Sequence, residues 1–145
     1  MILELISAAV GTVAFALLYG VPRRCYPYCA FIGACGWGMF KLMLNLGLGM
    51  GFSIFFGAVA IALVARFMAV YSHCPSTVFV TTGIFTLVPG VAIYWTAYYL
   101  VTSQLGDALS NGLLALKVML AIVLGIIFVF EIPHSFFRVM DRKKQ

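Results

Sequence analysis

One apolar stretch, Pro75 to Tyr94, constrains this chain more than any other. It carries Thr77, Thr81, Thr82 and Thr86, and Pro89-Gly90 interrupts it. Proline lacks the N–H a helix needs, and glycine lets the backbone turn. In hydrocarbon, backbone groups freed by such an interruption must find partners inside the protein. A break at membrane depth is therefore expected where helix ends face the path of a solute or ion.

The rest of the composition places that stretch in a bilayer. Of 145 residues, 64% are hydrophobic and 9% charged, and the mean hydropathy is +1.12. Soluble domains carry about 25% charged residues. The expected fold class is an all-α integral membrane protein, one membrane domain over the whole length. The formal net charge is +5. Arg23, Arg24, Arg66, Arg138, Arg142, Lys143 and Lys144 fall where loops or a tail are expected, which reads as a positive-inside signal. No basic patch interleaves with aromatics, so nucleic acid is not an expected partner. No nucleophile elbow, phosphate loop or metalloprotease motif occurs, and neither an enzyme nor a cofactor is expected. The first apolar run lacks a basic n-region and a small-x-small cleavage site and reads as a retained helix.

Five spans are expected, at about 2–21, 28–46, 52–71, 76–103 and 108–132, with a basic tail over 133–145. Arg23/Arg24, Arg66 with His73, and the Arg138–Lys144 cluster follow spans one, three and five. This predicts an outer N-terminus and a cytoplasmic C-terminus. The fourth span is too long for a straight crossing. As one helix it would reach roughly 42 Å, against a hydrocarbon core about 30 Å thick. Pro89 lies roughly 20 Å from its inner end. A full break and a proline kink both remain open.

Lys117 sits near the middle of the fifth span, roughly 15 Å below its outer end. A lysine there costs about 2.5–3.5 kcal/mol on insertion scales and is kept only against protein, water or a counter-ion. Two readings stand: a counter-charge for a substrate carboxylate, or an ion pair with a partner subunit. Pro89-Gly90 would start a new helix whose free N–H groups suit an anion. Thr82, Thr86 and Tyr94 accompany it as candidate substrate contacts, with Thr81 and Thr96 nearby. Lys41, near an outer span end, reads as a snorkelling lysine. Glu4 lies at the outer interface, and Asp107 is a turn or cap residue. Glu131 pairs with Arg138 or joins His134 as a coupling candidate. Gly49, Ser53 and Gly57 lie four apart, and Gly33 and Gly36 add a second small surface. Both read as helix-packing faces. Cys25, Cys29 and Cys74 read as free thiols, since their spacing with His73 fits no zinc motif.

Pro75, Thr77, Gly83-Ile84, and Leu87-Val88-Pro89-Gly90 with Tyr94 resemble the hallmark of the threonine/serine exporter family, in its C-terminal membrane half. Gly33-Ala34-Cys35-Gly36-Trp37 resembles a second family feature. The similarity covers roughly residues 3–132, and Thr86 stands where members commonly have proline. The resemblance implies export of small hydrophilic metabolites across the plasma membrane by the small subunit of a split pair, with a larger subunit as partner. It implies threonine and serine, or dicarboxylates such as succinate, as substrates. It assigns no site residues, so Pro89, Gly90 and Lys117 rest on the physical argument. A non-transporting scaffold and a homo-oligomeric small transporter are the alternatives.

Overall fold

The computed structural model describes residues 2–72 and 74–131. The described residues form six α-helices and one 3-10 turn, with no strand among them. The helices are α1 (Ile2–Leu18), α2 (Tyr26–Asn45), α3 (Met50–Ser72), α4 (Ser76–Ile84), α5 (Gly90–Val101) and α6 (Leu105–Phe130), and the turn is Arg23–Cys25. The five expected apolar runs are therefore all helical, and the fourth is two helices rather than one. α3 and α6 are long and apolar enough to cross a membrane, while α1 and α5 are apolar but shorter.

Three helices end by the same local chemistry. Gly20 (φ 65°) and Gly47 (φ 83°) adopt the left-handed conformation after α1 and α2. Val21 then donates to the Ala16 carbonyl at 3.0 Å and Leu48 to that of Met43 at 3.3 Å, which satisfies carbonyls the helix leaves unpaired. α5 closes with the same pattern, Gln104 donating to Tyr99 at 2.9 Å. There the left-handed residue is Ser103 (φ 59°), not glycine.

α1 to α4 form a bundle held by missing side chains. A Cβ on Gly33 of α2 would collide with Thr12 of α1, and one on Gly36 with Ile61 of α3. A Cβ on Gly83 of α4 would meet Ile61 Cγ2 at 2.8 Å and Ile32 Cγ2 at 2.9 Å. These helices approach closely because no side chain stands between them. The packing reading of Gly33, Gly36 and Gly57 is borne out. Gly49 meets nothing, and its carbonyl instead accepts a hydrogen bond from Ser53 at 3.2 Å.

α5 stands apart from that bundle, while α6 joins it by its second half. α5 packs against α6 alone among the helices it substantially touches. α6 has two halves. From Val118 onward it belongs to the core, with Val118 and Ile122 in the main cluster and Gly125 seated on Ala58 of α3. Before that it pairs with α5, Gly112 facing Thr96. The stripe Ala108, Ala115, Val118, Ile122, Gly125 and Val129 is buried, and the opposite face is exposed.

Two charged residues occupy places other than those expected. Lys41 does not merely snorkel: it bonds Glu4 of α1 at 3.0 Å, with its ammonium 5.8 Å from the Trp37 ring centroid. Arg66 is only 4% exposed within α3. Its guanidinium donates to the Val129 carbonyl at 2.9 Å and lies over the Phe130 ring at 4.9 Å. A cation suits that place, since the last carbonyls of α6 form the negative end of its dipole.

Candidate functional site

The interruption after Ile84 is a full break in the helix. α4 tightens into successive turns, Thr86 donating to Gly83 at 3.2 Å and Leu87 to Ile84 at 2.8 Å. Gly90 then donates to the Val88 carbonyl at 2.8 Å across Pro89, whose φ of −78° and ψ of 60° make an inverse γ-turn. Proline fits because its ring presets that φ and no N–H is required of it. The break is docked rather than loose. Phe85 stacks on Phe15 of α1 with centroids 4.4 Å apart, and Leu87 is buried, its Cδ1 3.2 Å from where a Cβ on Gly57 would stand.

A new helix therefore begins at Gly90. Ile93 donates back to Pro89 at 3.0 Å. The N–H groups of Val91 and Ala92 have no acceptor among the described residues. They add to the positive end of the α5 dipole. Tyr94, one turn into α5, is exposed and packs its ring on Trp95 at 5.5 Å.

The threonines are placed differently from one another. Thr82 is fully buried. Its hydroxyl donates to Val78 at 3.0 Å and lies 3.7 Å from the Cys29 sulfur. Thr86 donates to Gly83 at 2.7 Å and sits half-buried in the break. Thr96 donates to Ala92 at 2.7 Å. Each hydroxyl spends its proton on its own chain and keeps lone pairs free, as expected of threonine in an apolar setting.

Lys117 lies on α6, exposed, with no hydrogen bond or ion pair among the described residues. Its level follows from the α5–α6 register. The two helices are antiparallel across the short turn at 102–104, with Thr96 opposite Gly112. Five residues on from each, roughly 8 Å, Val91 is level with Lys117. The lysine and the start of α5 thus share one level, at the point where α6 leaves the core. They do not share a face. Between α5 and the first half of α6 runs an apolar groove of about 450 Å³, lined by Thr96, Leu100, Ala108, Gly112 and Leu116 among others. Leu116 lines that groove, and the next residue, Lys117, does not.

Of the coupling candidates, Glu131 stands roughly 21 Å along α6 from Lys117. Glu131 is exposed at the C-terminal cap of α6. His134 lies outside the described residues, as do Arg138 and His73.

Two groups escaped the sequence reading. Arg66 was assigned to topology, although it stands well inside an apolar run, itself a sign of a buried charge. The Glu4–Lys41 pair was legible in principle, since both residues lie near the same ends of antiparallel neighbours. A third grouping gathers at the 3-10 turn. Cys25 is buried, and that burial, reinforced by a hydrogen bond with Cys74, pushes its thiol up to about 11.

No solved structure matches the chain. Residues 4–132 match the family described as Threonine/Serine exporter, ThrE. That match spans the bundle, the break, the hairpin and Lys117, so the chain belongs to the threonine/serine exporter family and is a membrane protein built for transport rather than catalysis.

Proposed function

We propose that this chain is the small membrane subunit of a secondary exporter for small carboxylate-bearing metabolites, threonine and serine or a dicarboxylate such as succinate. It works in the plasma membrane by alternating access, with a larger subunit of the same family as partner. The chain crosses the bilayer five times, α4 and α5 together making one crossing, with its N-terminus outside and its C-terminus in the cytoplasm.

The observation that carries this reading is the start of α5. Among the described residues, Pro89 and Gly90 open a helix whose Val91 and Ala92 N–H groups have no acceptor, level with a Lys117 ammonium that has no counter-ion there. Two donors on a dipole's positive end are suited to a carboxylate, and Lys117 adds a positive charge at the same level. Thr86 and Tyr94 offer polar atoms around the break, and Thr82 supports it from the core. A proton gradient drives export, with Glu131 and His134 as the groups that couple to it.

The test is efflux of labelled threonine, serine and succinate from preloaded cells expressing the chain alone, the larger subunit alone, or both. Efflux only with both chains is expected. Equal efflux from the small chain alone would favour a homo-oligomeric transporter. No efflux in any combination, with both proteins in the membrane, would favour a scaffold.

A further inference from the structure

α6 presents two long faces. One is the buried stripe from Ala108 to Val129. The other runs Ser110, Leu113, Lys117, Leu120, Leu124 and Phe128, spaced three or four apart, and every member is exposed. Lys117 stands at the centre of this 26-residue helix, roughly 18–20 Å from each end. An ammonium that deep in an apolar helix needs a counter-ion.

The described residues do not supply one. Of the chain's four acidic residues, Glu4 is engaged by Lys41 at 3.0 Å. Asp107 and Glu131 stand on α6 itself, roughly 15 Å before and roughly 21 Å after Lys117. Asp141 belongs to the basic tail. Arg66 is committed to the α6 carbonyls. A second copy of the chain related by a twofold axis on this face would set its Lys117 against this one, ammonium against ammonium, with its Asp107 and Glu131 roughly 15 Å and 21 Å away along the helix.

We propose that the Lys117 face of α6 is the interface with a different chain, and that this chain places an aspartate or glutamate of a membrane-spanning helix against Lys117. The proposal rests on the reading that the exporter has two subunits, and it names what the partner must carry. The partner's carboxylate balances Lys117 when the site is empty and yields it to the substrate's carboxylate when loaded. The apolar residues of the face supply the packing around that pair.

The test co-expresses the tagged chain with the larger subunit of the exporter and reads assembly separately from efflux. With the wild type, the larger subunit co-purifies. A photo-reactive benzoylphenylalanine at Leu124 cross-links to it, and one at Leu3, exposed on α1, does not. Lys117→Glu reduces the co-purified partner at least about a hundredfold, because two carboxylates then face one another in an apolar interface. Changing one intramembrane Asp or Glu of the larger subunit to Lys restores it. Full assembly by Lys117→Glu, a failure of every such exchange to restore assembly, a Leu124 cross-link only to a second copy, or a wild-type chain that purifies alone each overturns the proposal. Intact assembly by Lys117→Glu together with export lost in Lys117→Ala would overturn this interface and leave the proposed function standing.

Discussion

The α1–α4 bundle and the α5–α6 hairpin are both apolar in sequence and unlike in packing. In the bundle, Gly33, Gly36 and Gly83 let helices meet at distances no side chain permits, and Ile32, Ile61 and Phe79 are fully buried. In the hairpin, Ala92 is the one buried residue of α5, and Val91, Tyr94, Trp95, Tyr98 and Leu100 are exposed. Hydropathy gives both regions to the membrane. Only small residues at the right spacing make one of them close on itself. The bundle and the second half of α6 share one packed core, α5 and the first half of α6 are mostly exposed, and the break at Pro89 is where one passes into the other.

The largest effect expected from this contrast is on the bundle's glycines. Gly36→Leu forces a side chain into Ile61 and should cost at least about 3 kcal/mol, seen as loss of the monodisperse peak in detergent. In the hairpin, Gly112→Ala should be tolerated within about 0.5 kcal/mol, because its Cβ would meet Thr96 Cγ2 at an ordinary 3.4 Å. Equal sensitivity at the two positions would erase the distinction.

Arg66→Met probes a buried charge that ties α6 to the bundle. Removing its bond to the Val129 carbonyl should cost about 1.5–3 kcal/mol and raise hydrogen exchange at the end of α6, leaving α5 unaffected. Unchanged exchange there would mean that Arg66 does not cap the helix.

A smaller effect is expected at the hairpin turn. Ser103 holds a left-handed conformation that suits glycine. Ser103→Gly should stabilise the chain by up to about 1 kcal/mol, read as a higher melting temperature.

The smallest contrast is chemical. Alkylation requires the thiolate, and a Cys25 thiol raised to about 11 stays protonated through the ordinary thiol range. Iodoacetamide should leave Cys25 unmodified at pH 8 and label the more exposed Cys74 first, as mass spectrometry of the peptides would report. Labelling Cys25 as fast as Cys74 would contradict its burial.

Much of this architecture was legible before any coordinates. Five apolar runs became helices within a few residues of their expected limits, because hydrophobic length is a strong signal. The break was legible because Pro89-Gly90 and the excess length of the fourth run point the same way. The separation of α5 from the bundle was not. It depends on which helix meets which small residue, and no single helix encodes that. Thr81 and Thr82 look alike in sequence, yet Thr82 is sealed against Cys29 and Thr81 is exposed, since a one-residue step around α4 is about 100°. Arg66 was hidden by its resemblance to the topology-setting arginines at the loops.

Export by the Lys117→Ala variant tests the account most directly. Cells carrying this chain and its larger subunit would be preloaded with labelled threonine, serine and succinate, and efflux compared at equal membrane content. The account predicts wild-type chain efflux of at least one of these and at least about a tenfold loss in the variant. Wild-type rates from Lys117→Ala would show that the charge beside the break takes no part in moving the substrate.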